Sequence, residues 1–102
     1  MHTRKEKKTS SENAFYFFTS IGNYTGENAT SIEDFLKKIE CIDIKSIEFH
    51  FHRGDFEKWV AEIIGNKELS EQIRKLKCEN LTGEKLRNKL HLLLQESIEM
   101  CR

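Results

Sequence analysis

Apolar residues recur at helical spacing along most of this chain. Ile32, Phe35, Leu36, Ile39 and Ile42 share one stripe at a period of about 3.6, while Glu33, Asp34, Lys37, Lys38 and Glu40 fall elsewhere. Thr30-Ser31-Ile32-Glu33 has the form of a capping box, so the pattern predicts a helix from there. Phe56, Trp59, Val60 and Ile63 predict another, with Asp55 as its cap and Gly65 at the C′ position. Asn66 is placed to cap a third, with Leu69, Ile73 and Leu76 inside. Thr82 precedes the last and longest helix, whose broad apolar face is Leu86, Leu90, Leu93, Leu94, Ile98 and Cys101, with Leu81 stapled onto Leu86 and Leu92 off the face. No proline interrupts any of these segments.

Two segments read both ways. Residues 14–21 (AFYFFTSI) are rich in aromatics and have high β propensity, yet contain i,i+3 and i,i+4 apolar pairs. Residues 44–53 (IKSIEFHFHR) bury Ile44, Ile47 and Phe51 as a helix capped by Asp43. As a strand they alternate, with Ile47, Phe49 and Phe51 opposite Glu48, His50 and His52. The flanking caps favour the helix. Residues 22–29 (GNYTGENA) read as a loop. The expected fold is all-α, a small bundle of about five helices with a long C-terminal one. The alternative is α+β, with a short two-strand ribbon of 15–21 and 46–52.

Composition narrows the class. The chain has 102 residues, enough for one domain, expected over 14–102 behind a disordered polar tail at 1–13. Lys plus Arg and Asp plus Glu are 17 each, so the formal charge is zero and a nucleic-acid role is not expected. The tail is locally basic, with Arg4, Lys5, Lys7 and Lys8 against Glu6 and Glu12. No apolar run is long enough to span a bilayer. Cys41, Cys78 and Cys101 are odd in number and widely spaced, and no apolar core follows the basic N-terminus. Both features point to a reducing cytoplasm.

Candidate chemistry concentrates in Glu48-Phe49-His50-Phe51-His52-Arg53-Gly54-Asp55. Glu48, His50, His52, Arg53 and Asp55 are the candidate ligand-binding residues. On a strand the two histidines point the same way; on a helix they diverge by about 200°. The spacing matches no standard zinc pattern, so neither a metal site nor a cofactor is assigned. Gly22-x-x-x-Gly26 leads toward a helix start and resembles an anion cradle, but lacks the Lys-Ser/Thr of a phosphate loop. No catalytic constellation is present, and no catalytic residue is assigned.

Phe15-Tyr16-Phe17-Phe18-Thr19, Thr25-Gly26-Glu27-Asn28-Ala29, Ile32-x-x-Phe35-Leu36, Ser46-Ile47-Glu48-Phe49-His50-Phe51-His52 and Asp55-Phe56-x-x-Trp59-Val60 together resemble a prokaryotic domain-of-unknown-function family. The resemblance runs from about Phe15 to Ile98. It implies a mostly helical domain, found alone or attached to carbohydrate-active enzymes such as glycosyltransferases, and implies no activity. Longer members carry a histidine-rich insert where this chain has only Arg53-Gly54, so a ligand role for that insert does not transfer. The expected function is therefore a non-catalytic cytoplasmic module that binds another protein or itself, with a homodimer through Leu86, Leu90, Leu92 and Leu93 as one form. The alternative is a small-ligand or metal binder built on His50, His52 and Asp55.

Overall fold

The aromatic run near the start of the chain forms a strand. In the computed structural model, which describes residues 13–100, β1 (Phe15–Ser20) and β2 (Asn23–Ala29) make an antiparallel hairpin. Ile21 and Gly22 form the turn, and Gly22 sits at φ +82, where an L side chain is strained. Phe15 pairs with Ala29 and Tyr16 with Asn28, then Phe18 with Tyr24 and Ser20 with Asn23. The register slips on both sides of Phe18. Opposite Phe17, β2 bulges through Thr25, Gly26 and Glu27. Thr25 Oγ1 secures the bulge, donating to the Phe17 carbonyl at 2.8 Å and accepting from the Glu27 N–H at 3.1 Å.

This corrects two expectations. Residues 23–29 are a strand, not a loop, and Gly22 and Gly26 serve a hairpin turn and a bulge, not an anion cradle. The reason is that β2 buries only Ala29. It therefore shows no apolar alternation, and its backbone pairing leaves little trace in the sequence.

Five α-helices follow: α1 (Ile32–Cys41), α2 (Ile44–Arg53), α3 (Asp55–Trp59), α4 (Lys67–Lys75) and α5 (Gly83–Met100). The N-cap of α1 is Ser31, one residue later than the capping box suggested. Its hydroxyl accepts from Asp34 N–H at 3.0 Å, and Asp34 Oδ2 accepts from Thr30 N–H at 3.3 Å. Asp43 caps α2 as expected, accepting from Lys45 N–H at 2.9 Å. Residues 46–52 are thus helical, and the partner of β1 is β2. α3 continues as a π turn, Val60–Ile64, and stops at Gly65, whose N–H reaches the Val60 carbonyl at 2.9 Å. Asn66 caps α4 through Leu69 N–H at 3.0 Å, and a 3₁₀ turn, Leu76–Glu79, leads on toward α5. The fold is mostly helical with one small β hairpin. It combines the helices of the all-α expectation with the ribbon of the α+β alternative, though not with 46–52 as the second strand.

The hairpin and α5 both pack on α1 and α2, and α3 packs on α2 and α4. Their shared core joins Phe15, Phe17, Phe35, Phe51, Phe56 and Trp59 to Ile39, Ile47, Leu69, Ile73, Leu86, Leu90 and Leu94. Burial of these side chains from water is the main stabilising term. Arg87 Nη1 donates to the Ile39 carbonyl at 2.8 Å, tying α5 to the end of α1. No helix among the described residues is long and apolar enough to cross a membrane. Cys41 and Cys78 are exposed free thiols; Cys101 and residues 1–12 lie outside the described residues.

Candidate functional site

Gly54 builds the site. It ends α2 in the left-handed region, at φ +81, and passes directly into α3. A Cβ there would be strained and would stand 3.3 Å from Lys77 Nζ. The reversal sets Asp55, the first residue of α3, against the last turn of α2. Asp55 is therefore not the side-chain cap of α3, because its carboxylate turns back toward α2.

His50 lies on the inner face of α2, with its side chain only 6% exposed. Its Nδ1 is 2.8 Å from Asp55 Oδ2. Its Nε2 is 2.8 Å from the backbone N of Phe18 on β1. A backbone N–H can only donate, so Nε2 is the acceptor and the ring proton belongs on Nδ1, donated to Asp55. The hydrogen bonds thus assign one neutral tautomer. Burial pushes the His50 pKa below the usual imidazole range. Asp55 opposes this through its hydrogen bond and its charge, and the Arg53 cation adds to the lowering. Arg53 Nε lies 3.3 Å from the same Asp55 oxygen, and its guanidinium sits 4.9 Å from the centre of the Phe49 ring.

These residues edge an open groove of about 450 Å³ between β1, α2 and α3. Its apolar lining includes Phe15, Phe18, Phe49, Trp59 and Ile63; Arg53, Asp55, Lys58 and Glu62 supply charged groups. Trp59 is buried, and its indole N–H donates to the Asn13 carbonyl at 2.8 Å. The position has the size and mixed lining of a small-molecule or side-chain pocket.

The structure brings together three of the five candidate residues: His50, Arg53 and Asp55. Glu48 is elsewhere. Its Oε2 accepts from Gly83 N–H at 2.7 Å, at the first residue of α5. His52 is exposed and faces away from His50, as the helical spacing requires. It lines a smaller cavity of about 250 Å³ with Lys77, Asn80 and Thr82. The groove also uses Phe18, Phe49, Lys58, Glu62 and Ile63, none of which was a candidate. One signal was legible: Asp55, Lys58 and Glu62 fall at i, i+3 and i+7, a stripe beside Trp59 and Ile63.

His50 and Asp55 have the geometry of a base and its orienting carboxylate. The lone pair such a base would use is already engaged by Phe18 N–H, and among the described residues no hydroxyl or thiol hydrogen-bonds to His50. The described residues contain no group of three or more His, Cys, Asp or Glu side chains that could hold a metal ion.

A family model described as a family of unknown function, DUF5752, matches residues 2–95. The chain belongs to DUF5752. The DUF5752 match takes in the hairpin, the His50–Asp55 pair and most of α5. It also extends upstream of Phe15, into the stretch that the sequence read as a tail. No curated protein and no solved structure matches the chain.

Proposed function

We propose that this DUF5752 domain is a non-catalytic binding module whose groove between β1, α2 and α3 receives an apolar, ring-sized group. The observation that carries the reading is the division of labour around His50. Both of its ring nitrogens are engaged within the fold, while the Phe18 and Phe49 rings beside it are only partly buried and line the groove. Phe18, Phe49 and Ile63, all half-buried, offer contact area to a ring, with the edge of the buried Trp59 behind them, and Arg53, Lys58 and Glu62 offer polar contacts around it. An aromatic side chain of a partner protein and a free aromatic molecule share this chemistry.

Four leucines of α5 formed the expected self-association surface. Leu86 and Leu90 are fully buried in the chain's own core, Leu93 packs partly against it, and only Leu92 is exposed. This placement favours the groove over α5 as the recognition surface. The resemblance to modules attached to glycosyltransferase-type enzymes supports an accessory role in the cytoplasm, in which the domain positions another protein and performs no chemistry of its own.

Titration of ¹⁵N-labelled protein with indole, and separately with the tripeptide Gly-Trp-Gly, tests the reading. Saturable amide shifts confined to Phe18, Phe49, Trp59, Ile63 and their neighbours are expected. Tighter binding of the tripeptide identifies a protein segment as the occupant, and tighter binding of indole a free molecule. No saturable shift with either probe, or shifts centred on α5, would overturn it.

A further inference from the structure

We propose that His50 is an acid-operated latch on this groove: neutral, it ties β1 to α2 through Phe18 N–H, and on taking a proton at Nε2 it releases that tie and loosens the groove's hold on its ligand. The inference rests on the groove being the binding site and adds its regulation.

The argument is one of hydrogen-bond capacity. A neutral imidazole has one donor and one acceptor, and here each has its partner. An imidazolium has two donors and no acceptor. Nδ1–H keeps Asp55 and gains an ion pair, so the bond to Phe18 is the one that fails. Phe18 N–H then faces another N–H donor. The strand bearing Phe18 is the groove's β wall, and the helix bearing His50 and Phe49 is the facing wall. The event is therefore local to the site.

The surroundings show why the latch is closed at neutral pH. Besides the Phe18 N–H, β1 presents rings to His50, with Phe15 at 4.8 Å, Phe17 at 6.2 Å and Phe18 at 6.4 Å between centres. α2 adds Phe49 and the Arg53 cation, and α3 adds Phe56 and the Asp55 carboxylate. Lys58 of α3 and Glu62 of the π turn that follows it also line the groove, and the Tyr16 side chain of β1 is exposed. Among the described residues Asp55 is the one anion in contact with the ring, and burial outweighs it.

The test is an NMR acid titration of the whole chain, with and without indole, over the range in which the Leu90 amide keeps its folded shift. The Phe18 amide is expected to move with the same midpoint as the His50 ring. Indole affinity should fall about fivefold or more across that midpoint, and saturating indole should shift the midpoint to lower pH by the reciprocal amount. A Phe18 amide that stays in place while His50 gains its proton would overturn the latch. So would indole affinity that is constant through the midpoint. Failure of indole to bind at any pH counts against the groove, and the latch then stands or falls on the Phe18 and Phe49 amides. In Asp55→Asn the midpoint should move lower, because the carboxylate favours the imidazolium; an unchanged midpoint would also contradict the proposal.

Discussion

His50 Nε2 accepts the backbone N–H of Phe18 at 2.8 Å, across 32 residues of sequence. The bond does for the free edge of a two-stranded sheet what a third strand would otherwise do. An edge N–H left buried and unpaired costs about 1–3 kcal/mol. Covering an edge with a helix is one way a fold avoids edge-to-edge pairing. His50→Ala removes the acceptor, the Asp55 contact and ring packing together. The expected loss is about 2–4 kcal/mol in urea unfolding. Unchanged stability would mean that the edge finds another partner at no cost.

The same residue makes stability depend on pH. Its folded pKa lies below the ordinary 6.5, so the unfolded chain binds the proton more tightly. The contribution is complete above about pH 6.5 and is lost as the pH falls through the lower folded value. The melting temperature of the native protein should therefore fall between pH 7.5 and 5.5. In His50→Gln, which does not titrate, that slope should be shallower. Equal slopes would assign the pH dependence to the carboxylates.

Glu48 was a candidate ligand residue and is a capping residue for a distant helix. Its carboxylate accepts from Gly83 N–H at 2.7 Å, where the free N–H groups and the dipole of α5 favour a negative charge. Glu48→Ala should cost about 1 kcal/mol, and Glu48→Gln about half as much because an oxygen acceptor remains. Neither change should alter indole shifts at Phe18 or Trp59. Chemical denaturation and the indole titration together check both statements, and loss of groove binding in Glu48→Gln would return the residue to the site.

Ser46 has no exposed surface, and among the described residues its hydroxyl has no hydrogen-bond partner. Alanine at this position removes an unsatisfied polar atom and improves helix propensity. Ser46→Ala should stabilise the protein by up to about 1 kcal/mol, read as a higher urea midpoint at constant m. Destabilisation would show that the hydroxyl is bonded in solution.

The amino-acid sequence by itself marked the helices, although for 44–53 only the flanking caps favoured helix over strand. Their signals are local: a 3.6 period in 32–42, Asp43 and Asn66 as caps, and Gly54 and Gly65 as stops, all operating within a few residues of where they act. It also set Leu92 apart from the buried face of α5, because that placement follows from helical geometry alone. The second strand was not legible. β2 buries one residue, and its pairing with β1 depends on backbone groups that every residue carries.

The candidate site divides along the same line. The sequence marked the segment from Glu48 to Asp55, since two histidines and three charged residues stand there together. Only the tertiary structure separated them: Glu48 to the start of α5, His52 to solvent, and His50 to the edge of β1 with Asp55 folded back by Gly54. Each of those fates depends on which surface packs against α2. Helical spacing alone parts His52 from His50, but which of the two is buried is a property of long-range packing.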